Sequence, residues 1–122
     1  MNPMVTTSAF FSRPERDALL VLGYLHLEQS RPGEAAVLLR PLHRSSPDDS
    51  EVERCLAVAE LQAGNAARAA RLAAHAYTLA DEATRHAMGL VYAKALWLSG
   101  DGDGAREALV KVIARKGTLD ER

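Results

Sequence analysis

The sequence has few of the residues that define several large classes of protein. Its one cysteine, Cys55, can form no internal disulfide and has no second thiol at metal-ligand spacing. Aromatic residues make up only 5% of the chain. Lys and Arg total 15 against 16 Asp and Glu, a net charge of -1. This balance gives no basic excess for binding nucleic acid or an anionic membrane.

Long apolar runs and an export signal are also missing from the sequence. No stretch approaches the roughly 18 consecutive apolar residues of a membrane-spanning helix. The segment from Met1 to Arg13 lacks the basic start and the apolar run of a signal peptide. We therefore expect no membrane span and a cytoplasmic location.

Alanine and leucine dominate the composition, which is 48% hydrophobic and 25% charged. Both residues lose little side-chain freedom in a helix. Apolar residues recur at three- and four-residue steps, which predicts an all-α fold. The predicted helices begin at Arg16 and then cover Glu34–His43, Glu51–Ala63, Ala66–Leu79, Thr84–Leu98 and Asp103–Arg115. Residues 1–15 are predicted to be a lead segment, mobile or briefly helical, before a helical domain over 16–122.

Short connections with helix-breaking residues separate the predicted helices. Pro32 is expected in the first turn of the second helix, where its missing N–H costs little. Ser50 and Glu53 have the form of a capping box. Asp103 is expected to cap the last helix, and Gly117 to end it. Because every connection is short, neighbouring helices are expected to be antiparallel.

The helices repeat as pairs with a period of about 34 residues, which is typical of tetratricopeptide repeats. Ser30 and Gly64 stand at the same turn of the first two pairs, and Gly100 follows 36 residues after Gly64. Small residues recur where the two helices of a pair should come closest. These residues are Gly23, Ala57 and Ala93 on the first helices, and Ala35, Ala69 and Ala105 on the second.

All three pairs resemble the tetratricopeptide-repeat family. The first pair matches the family's loose motif with Leu19, Leu22, Gly23, His26, Ala35, Leu39, Leu42 and Pro47. The second offers Leu56, Ala57, Ala69, Ala73, Ala76 and Asp81, and the third Tyr92, Ala93, Leu96, Ala105, Leu109 and Val112. The resemblance covers about residues 16–116 and implies three helix-turn-helix hairpins stacked as a short right-handed solenoid.

A narrower resemblance lies in two stretches, GYLHLEQSRPGEAAVLLRPLHRSSPDD and RCLAVAELQAGNAARA. They are similar to the small three-repeat chaperones of bacterial type III secretion, and closest to the SctY/YscY type. That resemblance implies a cytoplasmic bacterial protein that holds a small secreted or export-apparatus partner of the SctX/YscX type. The complex is expected to be a heterodimer.

No catalytic or metal site is predicted. The four histidines are His26, His43, His75 and His86. They lack a compact set of companion ligands, and His26 stands at the aromatic packing position of the repeat. The Gly100–Gly104 loop resembles a calcium loop, but the twelfth position from Asp101 is Val112 instead of a glutamate. We expect no enzyme activity and no cofactor, and we expect Cys55 to be a small buried hydrophobe.

The first helices of the pairs predict a binding groove, because they line the concave side of such solenoids. Their non-packing positions are Leu20, Tyr24, Leu27, Arg54, Val58, Leu61, Leu90, Lys94 and Trp97. Most of these residues are apolar, and exposed apolar patches commonly mark partner sites. The alternative is that the N-terminal segment folds back and buries some of them.

The sequence therefore predicts a chaperone or adaptor that binds a protein or peptide client in this groove. The alternative is a generic repeat scaffold, or a module that forms homo-oligomers without a dedicated client. The last helix favours association in either case, because its apolar stripe needs cover from a partner or another copy. An enzyme is the third and least supported class.

Overall fold

The computed structural model describes residues 10–79 and 81–120, which form six α-helices and no strand. The helices are α1 (Arg13–Glu28), α2 (Pro32–Ser45), α3 (Ser50–Gln62), α4 (Ala66–Leu79), α5 (Glu82–Leu98) and α6 (Gly102–Asp120). The prediction of an all-α fold is thus confirmed for the described residues. Consecutive helices pack against each other, and α3 also contacts α1 and α5.

The start of α1 lies inside the predicted lead segment of residues 1–15. Ser12 caps the helix, because the Glu15 N–H donates to Ser12 Oγ (3.2 Å) and the Ser12 N–H donates to Glu15 Oε1 (2.9 Å). Phe11 packs against the core just before this cap. The remainder of the lead segment, residues 1–9, lies outside the described residues.

The start of α3 corrects the capping box predicted at Ser50. Asp49 is the capping residue, and its Oδ1 accepts from the Val52 N–H. Arg16 of α1 donates to both carboxylate oxygens of Asp49, from Nε and Nη2, at 2.9 Å each. These bonds from Arg16 hold the pKa of Asp49 below its ordinary value. The cap of α3 therefore also joins α3 to α1.

Both predicted ends of α6 are wrong. Asp101, not Asp103, caps the helix, because Asp101 Oδ1 accepts from the Gly104 N–H at 2.8 Å. Asp103 lies in the first turn, where it pairs with Arg106. Gly117 does not end the helix, which continues to residue 120. A glycine lowers helix stability by about 1 kcal/mol but does not by itself stop a helix.

The three helix pairs close with the same turn. Its central residues are Ser30, Gly64 and Gly100, with left-handed φ values of 59°, 90° and 96°. The N–H of the next residue donates to the carbonyl five residues earlier, at 2.7, 2.8 and 2.9 Å. This bond belongs to the Schellman motif, which satisfies the last carbonyls of a helix. The repeat predicted from spacing is thus present in the backbone geometry of the turns.

Small residues let the helices pack closely, as predicted. Ala35, Ala69 and Ala105 are all buried. A Cβ added at Gly23 would lie 3.0 Å from the Leu39 side chain. A Cβ added at Gly89 would lie 2.5 Å from Val112 Cγ2. The contacts between α1 and α2 and between α5 and α6 therefore depend on these two glycines.

We predict that Ser30→Gly raises the free energy of unfolding by about 0.5 kcal/mol. A left-handed φ costs a residue with a Cβ roughly 1–2 kcal/mol, while added freedom of the unfolded chain offsets part of the gain. Chemical denaturation of the variant and the wild type measures the difference. Gly64→Ala is the matched control at the next turn and should destabilise by about 1 kcal/mol. A destabilised Ser30→Gly variant would contradict this reading of the turns.

Gly89→Ala should destabilise the chain by about 1–3 kcal/mol, because Val112 is stiff and has to move away from the new methyl group. Gly33→Ala is the control, since an added Cβ there has no atom within 4 Å. That substitution should be neutral or slightly stabilising in urea denaturation. Equal effects of the two changes would show that the close approach at Gly89 is unimportant.

Candidate binding surfaces

The helix α3 turns opposite faces toward two surface clefts. Residues three or four positions apart share a face of a helix. One face carries Arg54, Cys55 and Val58, and the other carries Glu53, Leu56 and Glu60. The first face points to a hollow shared with α1 and α5, and the second to a cleft shared with α2 and α4.

The apolar hollow lies between α1, α3 and α5 and has a volume of about 460 Å³. Its lining consists of Tyr24, Leu27, Arg54, Cys55, Val58, Ala83, Thr84, Ala87 and Met88. Cys55 and Met88 are buried, whereas Tyr24 is exposed. The hollow is therefore open to solvent over an apolar base, and Arg54 supplies a cation beside it.

A second hollow, the end hollow, lies between α5 and α6 and has a volume of about 360 Å³. Its lining consists of Leu90, Ala93, Lys94, Trp97, Gly102, Ala105, Arg106 and Leu109. Trp97 is 64% exposed, although it is the only tryptophan of the chain. An indole this exposed is a ready contact for a partner.

The predicted continuous groove is divided between these two hollows. Tyr24, Leu27, Arg54 and Val58 line the apolar hollow, and Leu90, Lys94 and Trp97 line the end hollow. The second set meets α6 instead of α1 and α3. Leu61 is partly buried and lines neither hollow.

The placement of Leu20 in the groove was wrong. Leu20 is 4% exposed and belongs to the core cluster that also contains Leu39 and Leu56. A partner cannot reach this side chain, because α1 turns it toward the core. The segment that was considered as a cover for the groove, residues 1–9, lies outside the described residues.

The thiol of Cys55 is buried, as its packing interpretation predicts. Burial raises the pKa of Cys55 to about 11, because the thiolate loses its hydration in apolar surroundings. The side chain is therefore a neutral thiol at physiological pH. A reactive cysteine needs the opposite shift.

The arginine cleft lies on the other face of α3, with a volume of about 560 Å³. Among the described residues, α2 and α4 each pack on α3 but do not contact each other, and this leaves the cleft between them. Its lining consists of Arg40, His43, Arg44, Pro47, Asp48, Glu53, Leu56, Glu60, Arg68, Arg71, Leu72 and His75. This cleft was not predicted from the sequence.

Glu60 lies in the base of the arginine cleft and is only 2% exposed. Arg40 donates to its two oxygens from Nε (2.9 Å) and Nη2 (2.8 Å), and Asn65 Nδ2 donates to Oε1 at 2.7 Å. Burial opposes ionisation of Glu60, but the bonds from Arg40 and Asn65 outweigh it. The pKa of Glu60 is therefore below its ordinary value.

Glu53, two turns earlier on α3, is also 2% exposed. Its Oε2 lies 2.7 Å from His75 Nδ1 of α4 and 3.3 Å from His43 Nε2 of α2. Glu53 thus joins the two walls of the cleft. Glu53, Leu56 and Glu60 follow one another at helical spacing and so share one face of α3, but the spacing does not show that this face is buried.

The described residues contain no group of three or more His, Cys, Asp or Glu side chains that could hold a metal ion. No helix in this part of the chain is long and apolar enough to cross a bilayer. Comparisons with protein-family models and with curated proteins found no match. The two hollows and the arginine cleft are therefore the features of the molecule that bear on its function.

We predict that Glu60→Gln lowers the free energy of unfolding by about 2 kcal/mol at pH 7, because it removes charge-assisted bonds from Arg40. A lowered folded-state pKa gives stability that is present above the ordinary value of 4.5 and is lost as pH falls through the folded value. The difference between variant and wild type should therefore shrink on acidification below 4.5. Denaturation at several pH values measures this difference.

Glu107→Gln is the control for this experiment. Its carboxylate is exposed and pairs only at 3.5 Å with Lys111. The substitution should change stability by less than about 0.5 kcal/mol at any pH. If the effect of Glu60→Gln were the same at low and neutral pH, ionised Glu60 would not be the source of the stability.

Proposed function

We propose that the chain is a tetratricopeptide-type module that holds a segment of another polypeptide on the side formed by α1, α3 and α5. The identical turns at Ser30, Gly64 and Gly100 support a repeat of three hairpins. The helices α1, α3 and α5 are the first helices of the three pairs, and α3 contacts both of the others. This supports a solenoid, because the first helices of a solenoid line one of its sides. Within residues 10–79 and 81–120, the second helices of the pairs, α2, α4 and α6, do not contact one another.

The observation that carries the proposal is the open apolar hollow. Three helices converge on it, yet Tyr24 remains exposed and Leu27 and Val58 are only partly buried. A stripe of apolar side chains on an amphipathic helix or an extended segment would complete the packing of this surface. Trp97 supplies a second contact at the end hollow, since Trp and Tyr are frequent energetic anchors of interfaces.

Within this function, we propose a chaperone of bacterial type III secretion that acts in the cytoplasm. The support is the resemblance of the stretches 23–49 and 54–69 to the SctY/YscY type, together with the exposed apolar surfaces. The client would be a small secreted or export-apparatus protein of the SctX/YscX type, bound as a heterodimer. Covering an apolar segment of such a client would prevent its aggregation before export.

Self-association is the second candidate, and one observation favours it. On α6, the large apolar residues Leu109, Val110 and Ile113 are all exposed. Another copy of the chain that packs on this helix would bury them, as the next repeat does in a longer solenoid. The chain would then be a scaffold module without a dedicated client.

We predict that the tagged chain, recovered from its native cells, retains one small protein at fixed stoichiometry. Val58→Asp should weaken this complex by about tenfold or more, because it places a carboxylate in the apolar hollow. Trp97→Ala should weaken it as well, through the loss of an exposed anchor. Mass determination of the recovered complex gives the partner and the stoichiometry.

Glu34→Ala is the control, because Glu34 is exposed on α2 and lies outside both hollows. It should leave the complex intact, and circular dichroism should show that all three variants are folded. Recovery of a homo-oligomer alone would favour the scaffold module. A partner that is retained equally by wild type and both hollow variants would exclude the apolar hollow as its site.

A further inference from the structure

We infer that the arginine cleft is a second binding site, which takes an acidic peptide segment of a protein partner. The cleft uses the face of α3 that lies opposite the apolar hollow. Binding in the arginine cleft therefore does not depend on the client function that we propose for the apolar hollow. Three observations support this site. They are the charges that line the cleft, the buried Glu53 and Glu60 that bond to part of its lining, and a cleft between α4, α5 and α6 that lacks these charges.

The basic residues of the cleft form two facing rows. Arg40, His43 and Arg44 follow each other along α2, and Arg68, Arg71 and His75 follow each other along α4. His43 and Arg44 stand three and four residues after Arg40, and the row on α4 has steps of three and four residues, so each row lies on the side of its helix that faces the cleft. All four arginines and both histidines of the lining thus come from these two rows.

Two buried carboxylates fix part of these rows in place. Glu60 holds Arg40 through two bonds, and Glu53 holds His43 and His75 from the opposite walls. Removing a carboxylate from water is costly unless its partners are well placed. Here the partners are Arg40, His43 and His75, which belong to the walls of the cleft. Arg40, His43 and His75 are thus fixed in the lining before any ligand arrives.

Three arginines remain available to a ligand. Arg44, Arg68 and Arg71 are exposed. In the described part of the chain none of them lies within hydrogen-bond or ion-pair distance of another residue, although the charge of Arg68 acts on Glu60. Asp48 is the one acidic residue of the lining that is exposed. A ligand with two or three carboxylates would find donors on both walls of the cleft.

The fold does not require the charges of the arginine cleft, because a corresponding cleft between α4, α5 and α6 lacks most of them. A cleft of about 340 Å³ lies between α4, α5 and α6. The register of the three turns relates its lining to that of the arginine cleft. For Glu53, Glu60, Arg40, Arg68 and Arg71, the equivalents are Gly89, Leu96, Ala74, Gly104 and Glu107. Small and apolar residues thus satisfy the packing at most of these positions.

The size and composition of the cleft favour a peptide over nucleic acid. Nucleic-acid binding needs an extended basic face that tracks several phosphates. This chain has a net charge of -1, and Arg44, Arg68 and Arg71 line one cleft. Leu56, Leu72 and Pro47 also line the cleft and would accept an apolar side chain of the ligand. An acidic peptide with one apolar residue matches both features.

Fluorescence anisotropy with the full chain tests the inference. The probe is a labelled short peptide of glutamates around one central leucine, and a peptide with lysines in place of the glutamates is the control probe. The acidic peptide should bind saturably at low salt and weaken as salt rises. Arg68→Glu and Arg71→Glu should each weaken it by about tenfold or more, because both reverse a charge in the cleft.

Arg13→Glu is the matched control variant, since it changes the net charge equally on an exposed part of α1 outside the cleft. It should leave peptide binding within about twofold of wild type. Unchanged circular dichroism verifies that each variant is folded. Three results would overturn the inference: no saturable binding at millimolar chain, equal losses for Arg13→Glu and Arg71→Glu, or tighter binding of an oligothymidylate than of the acidic peptide.

Discussion

Close packing of small residues at the helix contacts is the constraint on which the rest of the structure depends. Gly23 lets Leu39 approach α1, and Gly89 lets Val112 approach α5. Because α2 and α4 both pack on α3 but not on each other, a cleft remains on one face of α3. On the opposite face, α1 and α5 leave the apolar hollow. Both candidate surfaces are therefore consequences of how neighbouring helices meet α3.

The two faces of α3 differ in chemistry as well as position. On one face, Val58 and Cys55 give an apolar surface on which a client segment can pack. On the other, Glu53 and Glu60 are buried, and they bond to Arg40 of α2 and His75 of α4. These bonds stabilise the contact between the first two helix pairs and hold Arg40 and His75 in place. Among the described residues, the cleft between α4, α5 and α6 has Lys111 as its one basic lining residue.

The sequence predicted the helices and their repeat well, because both follow from short-range patterns. The spacing of Ser30, Gly64 and Gly100 along the chain is enough to predict the register of the turns. Leu20 was misplaced, since spacing alone does not show which side of an end helix meets the core. The arginine cleft was missed for a similar reason. Glu53 and Glu60 have the pattern of solvent-exposed charges, and only the packing of α2 and α4 over them makes them buried.

The most direct test of the central claim uses site-specific photo-crosslinking in the native cells. A photoreactive amino acid would replace Val58 in the apolar hollow or, as a control, the exposed Val37 of α2, which lies outside both hollows. A client held in the hollow predicts one crosslinked polypeptide at position 58, reproducible in mass, and none at position 37. Crosslinks at position 58 to the chain itself, or to no protein at all, would contradict the claim that this hollow binds a client.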